Sequence, residues 1–308
     1  MYKYILRRLL QMIPVLLGAT FIIFAMVFAL PGDPTAGLCG ERQCPPAFVA
    51  NFREQHGLND PLHVRYAKYM GNLVRGDLGT NFRDIKVVDE LKQRYPTTAK
   101  LALMAIAFEA IIGVAGGVLA GIRKGKLADN LVLVSTLVVI SVPVFVIGVL
   151  MQYYLGVKWH LFPVTVSSDA TFYELLMPAF VLGSVSIAYA ARLTRTNLVE
   201  NLRSDYLRTA IAKGLTRRRA IGLHALRNSL IPVITFIGAD FGALLGGAIV
   251  TERIFNIQGV GGFLFTGIHN RDPISVVGTV TILVFVFLIV NLLVDLLYGV
   301  LDPRVSHD

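Results

Sequence analysis

Charged residues are scarce in this chain of 308 residues. They make up 16% of the sequence, whereas hydrophobic residues make up 55% and the mean hydropathy is +0.63. A soluble globular domain usually has about a quarter of its residues charged, so this composition excludes that class. Long apolar runs are present instead, and they predict a multi-pass integral membrane protein.

The sequence also lacks the groups that a membrane-embedded enzyme or an ATPase needs. Its six histidines are scattered, and no pattern brings together a nucleophile, a base and an orienting group. It contains no Gly-x4-Gly-Lys-Ser/Thr motif, whose backbone would cradle nucleotide phosphates. We therefore expect this chain to carry no catalytic residue, no metal site and no bound cofactor.

Cysteine is limited to Cys39 and Cys44, which lie in a segment predicted to face outward. The short, glycine-containing spacing lets a small ring close, and an extracytoplasmic location favours oxidation. We predict a disulfide between them. The alternatives are two free thiols or half of a metal site, although no nearby cluster of His or Cys completes a ligand set.

Six apolar runs are long enough to cross a membrane, which takes about 20 helical residues. The fourth is the shortest, because Pro178 lies near its start and Arg192 and Arg195 close its other end. The predicted spans are residues 9–30, 98–122, 131–157, 175–191, 230–251 and 274–300. The fold class is therefore predicted to be an all-α integral membrane protein with six transmembrane helices.

Lysine and arginine concentrate before the first span, after the second and after the fourth, which places these segments in the cytoplasm. Both termini are then cytoplasmic, and the net charge of +9 reflects topology rather than nucleic-acid binding. The segment 31–97 forms an extracytoplasmic loop, which we expect to be folded because turn signals alternate with amphipathic pieces. One such piece, around Tyr66 and Tyr69, suits either the membrane surface or the face of another helix.

Three acidic residues fall inside predicted spans, where an ionised group is costly, and one of them is Asp295 near the cytoplasmic end of the sixth. Glu109 interrupts the second span and Asp240 lies within the fifth. One interpretation is that they border an aqueous translocation path. The alternative is that each carboxyl group is buried and hydrogen-bonded to a neighbouring helix.

The fifth span also carries small residues at intervals of four, namely Gly238, Gly242 and Gly246. Such a ridge lets two helices approach closely in lipid. We expect it to pack against another helix of this chain or against a second subunit. A weaker ridge of the same kind occupies the second span.

The loop 192–229 between the fourth and fifth spans is basic and forms helices. Ser204 or Asp205 can cap a helix that ends at Gly214, and Thr216 can cap a second helix that leads to Pro232. On its own this pattern also fits a DNA-binding helix-turn-helix or an anchor for anionic lipids. The two flanking spans argue against DNA binding, and lipid anchoring does not explain the glycine and proline positions.

The same loop resembles the EAA loop of binding-protein-dependent ABC importer permeases, in the oligopeptide, dipeptide and nickel branch. The resemblance starts from Arg208-Thr-Ala210, Gly214 and Leu230-Ile-Pro232. Further pieces of that branch follow in order: Arg7-Arg-Leu-Leu10, Leu30-Pro-Gly-Asp-Pro34, Gly57-Leu-Asn-Asp-Pro-Leu62, Gly76-Asp-Leu-Gly79, Glu252-Arg-Ile-Phe255, Gly259-Val-Gly261 and Asp302-Pro-Arg304. Together they cover nearly the whole chain.

This resemblance implies a single type I ABC importer transmembrane domain over residues 1–308, in a bacterial plasma membrane. It implies that the loop couples the chain to an ATPase subunit. Arg208 stands where the family usually has a glutamate, so we expect Arg208 to meet an acidic group on the ATPase. The implied coupling residues are Asp205, Tyr206, Arg208, Thr209, Ala210, Lys213 and Gly214. Gly214 should let the second helix turn back toward the membrane.

The implied partners are a homologous second permease subunit, cytoplasmic ABC ATPase subunits that bind ATP and Mg, and an extracytoplasmic substrate-binding protein. The expected function is half of a translocation pathway for di- or oligopeptides. Two alternatives stay open. One is a nickel or other small-solute permease of the same branch, and the other is a self-contained secondary transporter.

Overall fold

The computed structural model describes residues 2–29, 44–55 and 59–301, and regular structure in these ranges is helical apart from one isolated bridge between Thr80 and Lys86. The α-helices in these ranges are α1 (Tyr2–Ala29), α2 (Pro46–Gln55), α3 (Leu62–Val74), α4 (Val87–Phe108), α5 (Val114–Ile122), α6 (Leu127–Ser141), α7 (Val144–Met151), α8 (Phe172–Asn201), α9 (Asp205–Ala212), α10 (Arg217–Ala220), α11 (Leu226–Gly247), α12 (Ile249–Ile254), α13 (Val260–His269) and α14 (Pro273–Leu301). Among the described residues, the π-helical segment Glu109–Gly113 joins α4 to α5, Ile221–Ala225 joins α10 to α11, and Gln152–Lys158 continues α7.

Within the residues that the structure describes, five continuous helical stretches are long and apolar enough to cross a membrane. A sixth is formed if the bent pair of α6 and the helix after it counts as one span. The continuous stretches are Ile5–Phe28, Val87–Ile122, Phe172–Asn201, Arg217–Leu245 and Pro273–Leu296. The predicted all-α membrane fold is confirmed, with the third span broken rather than straight.

The break in the third span corrects the prediction of a continuous run over residues 131–157. The helix stops at Ser141, and the next one starts at Val144 at an angle of 102°. Val142 is extended, with φ −104° and ψ 128°, because the ring of Pro143 disfavours helical geometry in the residue before it. The apolar composition on both sides of Pro143 conceals this bend in the sequence.

The fourth span is longer than predicted. α8 has 30 residues and includes Arg192 and Arg195, which we expected to close the span. Arg195 donates to both carboxylate oxygens of Asp129 at 2.5 and 2.9 Å, and Arg192 donates to Thr136 at 3.1 Å. Because α6 supplies these partners, the arginines are accommodated inside the helix. α8 is also well buried, since 67% of its most apolar stretch is covered.

The chain forms two compact units, one of Met1–Thr98 with Gln258–Ile289 and the other of Ala99–Ile257 with Val290–Asp308. In the first unit, α3 packs on α1 and α14. The hydroxyl of Tyr66 lies 2.9 Å from that of Thr20, and the hydroxyl of Tyr69 lies 2.7 Å from that of Thr281. Burial raises the pKa of Tyr69 to about 12. The amphipathic piece therefore lies against other helices of this chain. The single domain over residues 1–308 stays a prediction.

The predicted loop 31–97 is only partly described. It includes α2 and α3, and α4 begins at Val87, inside the predicted loop. Cys39 lies outside the described residues, whereas Cys44 is disulfide-bonded. The pairing of Cys39 with Cys44 stays a prediction.

Close helix packing in the second unit occurs at glycines. A β-carbon on Gly117 of α5 would lie 2.5 Å from the carbonyl oxygen of Ala191 on α8. A β-carbon on Gly238 of α11 would lie 2.8 Å from a methyl group of Val294 on α14. Gly242 is buried, and the side-chain environment of Gly246 lies outside what the structure describes. These approaches depend on the missing side chain, as small-residue contacts between membrane helices generally do.

Candidate functional site

α9 is a short helix between two membrane-spanning helices, and its bounds follow the predicted pattern, although the side chain of Ser204 makes no capping hydrogen bond. Ser204 is the extended residue before it, with φ −70° and ψ 150°, and the helix covers Asp205–Ala212. Gly214 follows with φ +94°, a left-handed conformation in which a side chain is strained. The predicted helix with a glycine stop is confirmed as local structure.

The end of α9 is closed by a Schellman motif. The backbone N–H of Gly214 donates to the carbonyl of Ile211 at 2.9 Å, and that of Leu215 donates to Ala210 at 3.2 Å. These bonds satisfy two carbonyls that the helix end would otherwise leave open. The chain then turns at Thr216, which precedes α10. The direction in which the chain leaves α9 is therefore set by the glycine.

The inner face of α9 is anchored by Leu207, which is 4% exposed. It belongs to a buried cluster with Leu198, Ala220 and Ala225, and Val118 packs against this cluster. Burying a leucine side chain contributes about 1.5–3 kcal/mol. Leu207 thus attaches α9 to the end of α8 and to α10 and the π-helical segment that leads into α11.

Asn201, at the end of α8, forms a second attachment that the sequence patterns did not indicate. Its side-chain amide donates to the carbonyl of Asn197 at 2.9 Å and to the hydroxyl of Ser229 on α11 at 3.1 Å. Its side-chain oxygen accepts from the hydroxyl of Tyr206 on α9 at 2.6 Å, and its backbone carbonyl accepts from Ser204 at 2.6 Å. A single polar side chain therefore links α9 to both flanking spans.

The outer face of α9 is exposed in this chain, although the hydroxyl of Tyr206 on it donates back to Asn201. Asp205, Tyr206, Arg208, Thr209 and Lys213 are exposed, and Ala210 is half-buried. Ile211 is 44% exposed, although a large apolar side chain gains by contact with another surface. Ile211 was not among the coupling residues that the resemblance implied.

Arg208 meets an acidic residue on its own helix. Its guanidinium lies 3.6 Å from the carboxylate of Asp205, one turn earlier, and both side chains are highly exposed. An exposed ion pair of this kind adds little to stability and exchanges readily for another partner. The expected contact of Arg208 with an acidic group on an ATPase stays a prediction.

Two of the acidic residues inside the spans, Glu109 and Asp240, interact with each other within the second unit. Glu109 begins the π-helical segment after α4 and is completely buried, while Asp240 on α11 is half-buried. The two carboxyl groups are close enough to interact electrostatically. Among the described residues, neither oxygen of Glu109 has a hydrogen-bond partner. The group that Glu109 interacts with is the carboxyl of Asp240 on a neighbouring helix, so both interpretations of this pair stay predictions.

Two family descriptions together match most of the chain. Residues 113–307 match the family described as "Binding-protein-dependent transport system inner membrane component". Residues 1–102 match "Binding-prot-dependent transport system membrane comp, N-term". The chain belongs to this family, and it is a multi-pass permease subunit of the bacterial inner membrane. Membership of this family implies that ATPase and substrate-binding components work with it, and it decides against a self-contained secondary transporter.

Named relatives align along the full chain. The dipeptide transport system permease protein DppB of Escherichia coli (strain K12) is 37% identical over 337 residues, covering 100% of this chain and 99% of the relative. The glutathione transport system permease protein GsiC of Salmonella paratyphi A is 34% identical over 308 residues, covering 100% of both.

A solved structure supports the fold. The MetNI methionine ABC transporter, in an inward-facing conformation, contains a chain that matches with a TM-score of 0.57 and 16% sequence identity. The match covers 69% of this chain and 96% of that chain. The fold is that of a type I ABC importer permease.

Proposed function

We propose that this chain forms half of the translocation pathway of an ABC importer for di- or oligopeptides, together with a homologous second permease subunit. The proposal of a peptide substrate rests on full-length similarity to permeases named for dipeptide and glutathione transport. The chain itself hydrolyses no ATP, and the partner ATPase subunits bind ATP and Mg. An extracytoplasmic binding protein delivers the substrate.

We propose that α9 is the coupling helix. The observation that carries this assignment is that α9 is attached to the spans by some of its residues and exposes others. Leu207 and the bond of Tyr206 to Asn201 fasten the helix to the spans, while Ile211 and Lys213 are exposed. A helix that is fastened in this way can move the spans when a partner moves its outer face, which is what energy transmission requires.

We also propose that Glu109 and Asp240 border the pathway. A carboxyl pair buried inside membrane-spanning helices is expensive, and such residues usually have a functional reason to persist. During alternating access, relative movement of the helices would bring water or substrate to these groups.

Uptake measurements test the substrate class. In a strain lacking this chain, reintroducing it should restore uptake of a labelled dipeptide. Excess unlabelled di- or tripeptides should suppress that uptake, whereas excess Ni²⁺ should leave it unchanged. A tagged copy should also co-purify with a second permease and with ATPase subunits. Restored Ni²⁺ uptake without peptide uptake would contradict the peptide assignment.

A further inference from the structure

An apolar cavity of about 540 Å³ lies within the first unit, outside the α9 region. Side chains of α1, α3, α4 and α14 form its wall, among them Leu16, Leu73, Leu91 and Phe285. Its volume falls within the range of about 300–1,000 Å³ that is usual for small-molecule sites. The cavity is therefore large enough to hold part of an amphipathic molecule.

The cavity lies among helices that cross the membrane. α1, α4 and α14 each contribute to a membrane-spanning stretch, and all three line the cavity. It is open to its surroundings, since Val74 on its rim is 84% exposed. Because residues 31–97 are predicted to be extracytoplasmic, we take this opening to lie at the outer surface of the bilayer, where the molecules in contact with it are lipids.

Two polar groups of the cavity wall have no partner in the part of the chain that the structure describes. The hydroxyl of Tyr95 is buried without a hydrogen bond. Lys92, one turn earlier on α4, is exposed, and no described carboxylate lies within ion-pair distance of it. By contrast, the hydroxyl of Thr281 is already hydrogen-bonded to Tyr69. An occupant should therefore bring an acceptor for Tyr95 and a negative charge for Lys92.

These requirements select one class of ligand. We propose that the cavity binds an acyl chain of an anionic phospholipid, with the ester oxygens near Tyr95 and the phosphate near Lys92. The flexible stem of a lysine can follow the apolar wall and place its ammonium group at headgroup level. A peptide would fit less well, because its backbone would face this apolar wall without hydrogen-bond partners.

A photoreactive phospholipid tests this proposal on the assembled complex in lipid nanodiscs. The probe is phosphatidylglycerol with a diazirine in one acyl chain, and crosslinked peptides are identified by mass spectrometry. Labels should map to the wall of the cavity on α4 and α14. A phosphatidylcholine probe of the same chain length should label these positions about fivefold less, because it lacks net negative charge.

Variants of Lys92 and Tyr95, with Lys68 as a control, show whether photolabelling depends on these two polar groups or only on exposure to lipid. Lys92→Gln should lower phosphatidylglycerol labelling about fivefold, which corresponds to one lysine near an anionic surface. Tyr95→Phe should lower the labelling by both lipids. Lys68→Gln removes a lysine of α3 that pairs with Asp60 instead, and it should change nothing.

Three results would overturn the proposal. They are equal labelling by the two lipids, labelling that neither Lys92→Gln nor Tyr95→Phe changes, and occupation of the cavity by another molecule. The last would appear as crosslinks from a photoreactive residue at Leu73 to the second permease, or as labelling of the wall by a photoreactive dipeptide. The test does not depend on the transported substrate, so it can fail without affecting the proposed function.

Discussion

Replacing Gly214 with valine should separate ATP hydrolysis from uptake. The residue has φ +94°, and an L-residue in a left-handed conformation costs about 1–2 kcal/mol. This strain falls on the Schellman motif that ends α9, and it should lower the population of the intact end about tenfold, since 1.4 kcal/mol is a factor of ten. In proteoliposomes with the complete complex, uptake per ATP hydrolysed should fall by a similar factor while ATPase activity continues.

Gly222 provides a control for this substitution. It lies in the π-helical segment after α10, is exposed, and has no atom within 4 Å of an added β-carbon. Gly214 also has open space around it, so the two sites differ in backbone conformation rather than in room. Gly222→Val should keep nearly normal uptake. If Gly214→Val and Gly222→Val behave alike, the left-handed stop of α9 has no role in coupling.

Replacing Gly117 with alanine should destabilise the folded protein strongly. The new methyl group would lie 2.5 Å from the carbonyl oxygen of Ala191 and 2.5 Å from Cβ of Thr194. A backbone atom cannot rotate away, so α5 and α8 must separate. The cost should reach the upper end of overpacking, about 3 kcal/mol. Thermal unfolding of the purified complex in detergent, together with its level in membranes, measures this effect.

The neighbouring glycine is the matched control. A β-carbon on Gly116 would have Ala191 Cβ as its nearest neighbour, at an ordinary contact distance of 3.9 Å. Gly116→Ala should therefore unfold at nearly the temperature of the unmodified protein. Equal unfolding temperatures for Gly116→Ala and Gly117→Ala would show that α5 and α8 do not pack as described.

The membrane class and most of the spans could be predicted because they depend on local composition. An apolar run of about 20 residues has few alternatives to a membrane helix. The length of α8 could not be predicted, because the arginines near its end are tolerated only through Asp129 and Thr136 on α6. Partners distant in sequence decided this boundary, and a single-sequence pattern does not contain them.

The start and end of α9 could be predicted for the same reason, since capping residues act within one turn. Gly214 carries that signal in its left-handed conformation, whereas the side chain of Ser204 makes no capping hydrogen bond and donates to the carbonyl of Asn201 instead. The bonds of Asn201 to Tyr206 and Ser229 could not be predicted, since they depend on how three helices meet. The interaction of Glu109 with Asp240 was missed for the same reason.

Crosslinking from α9 tests the central claim most directly, namely that this helix transmits movement from an ATPase. A photoreactive amino acid at Ile211 or Lys213, which are exposed on α9, should crosslink to the ATPase subunit in the assembled complex. The same probe at Leu127, which is 74% exposed and follows a turn predicted to be cytoplasmic, should give little or none. Absence of ATPase crosslinks from both α9 positions, with and without ATP, would contradict the account.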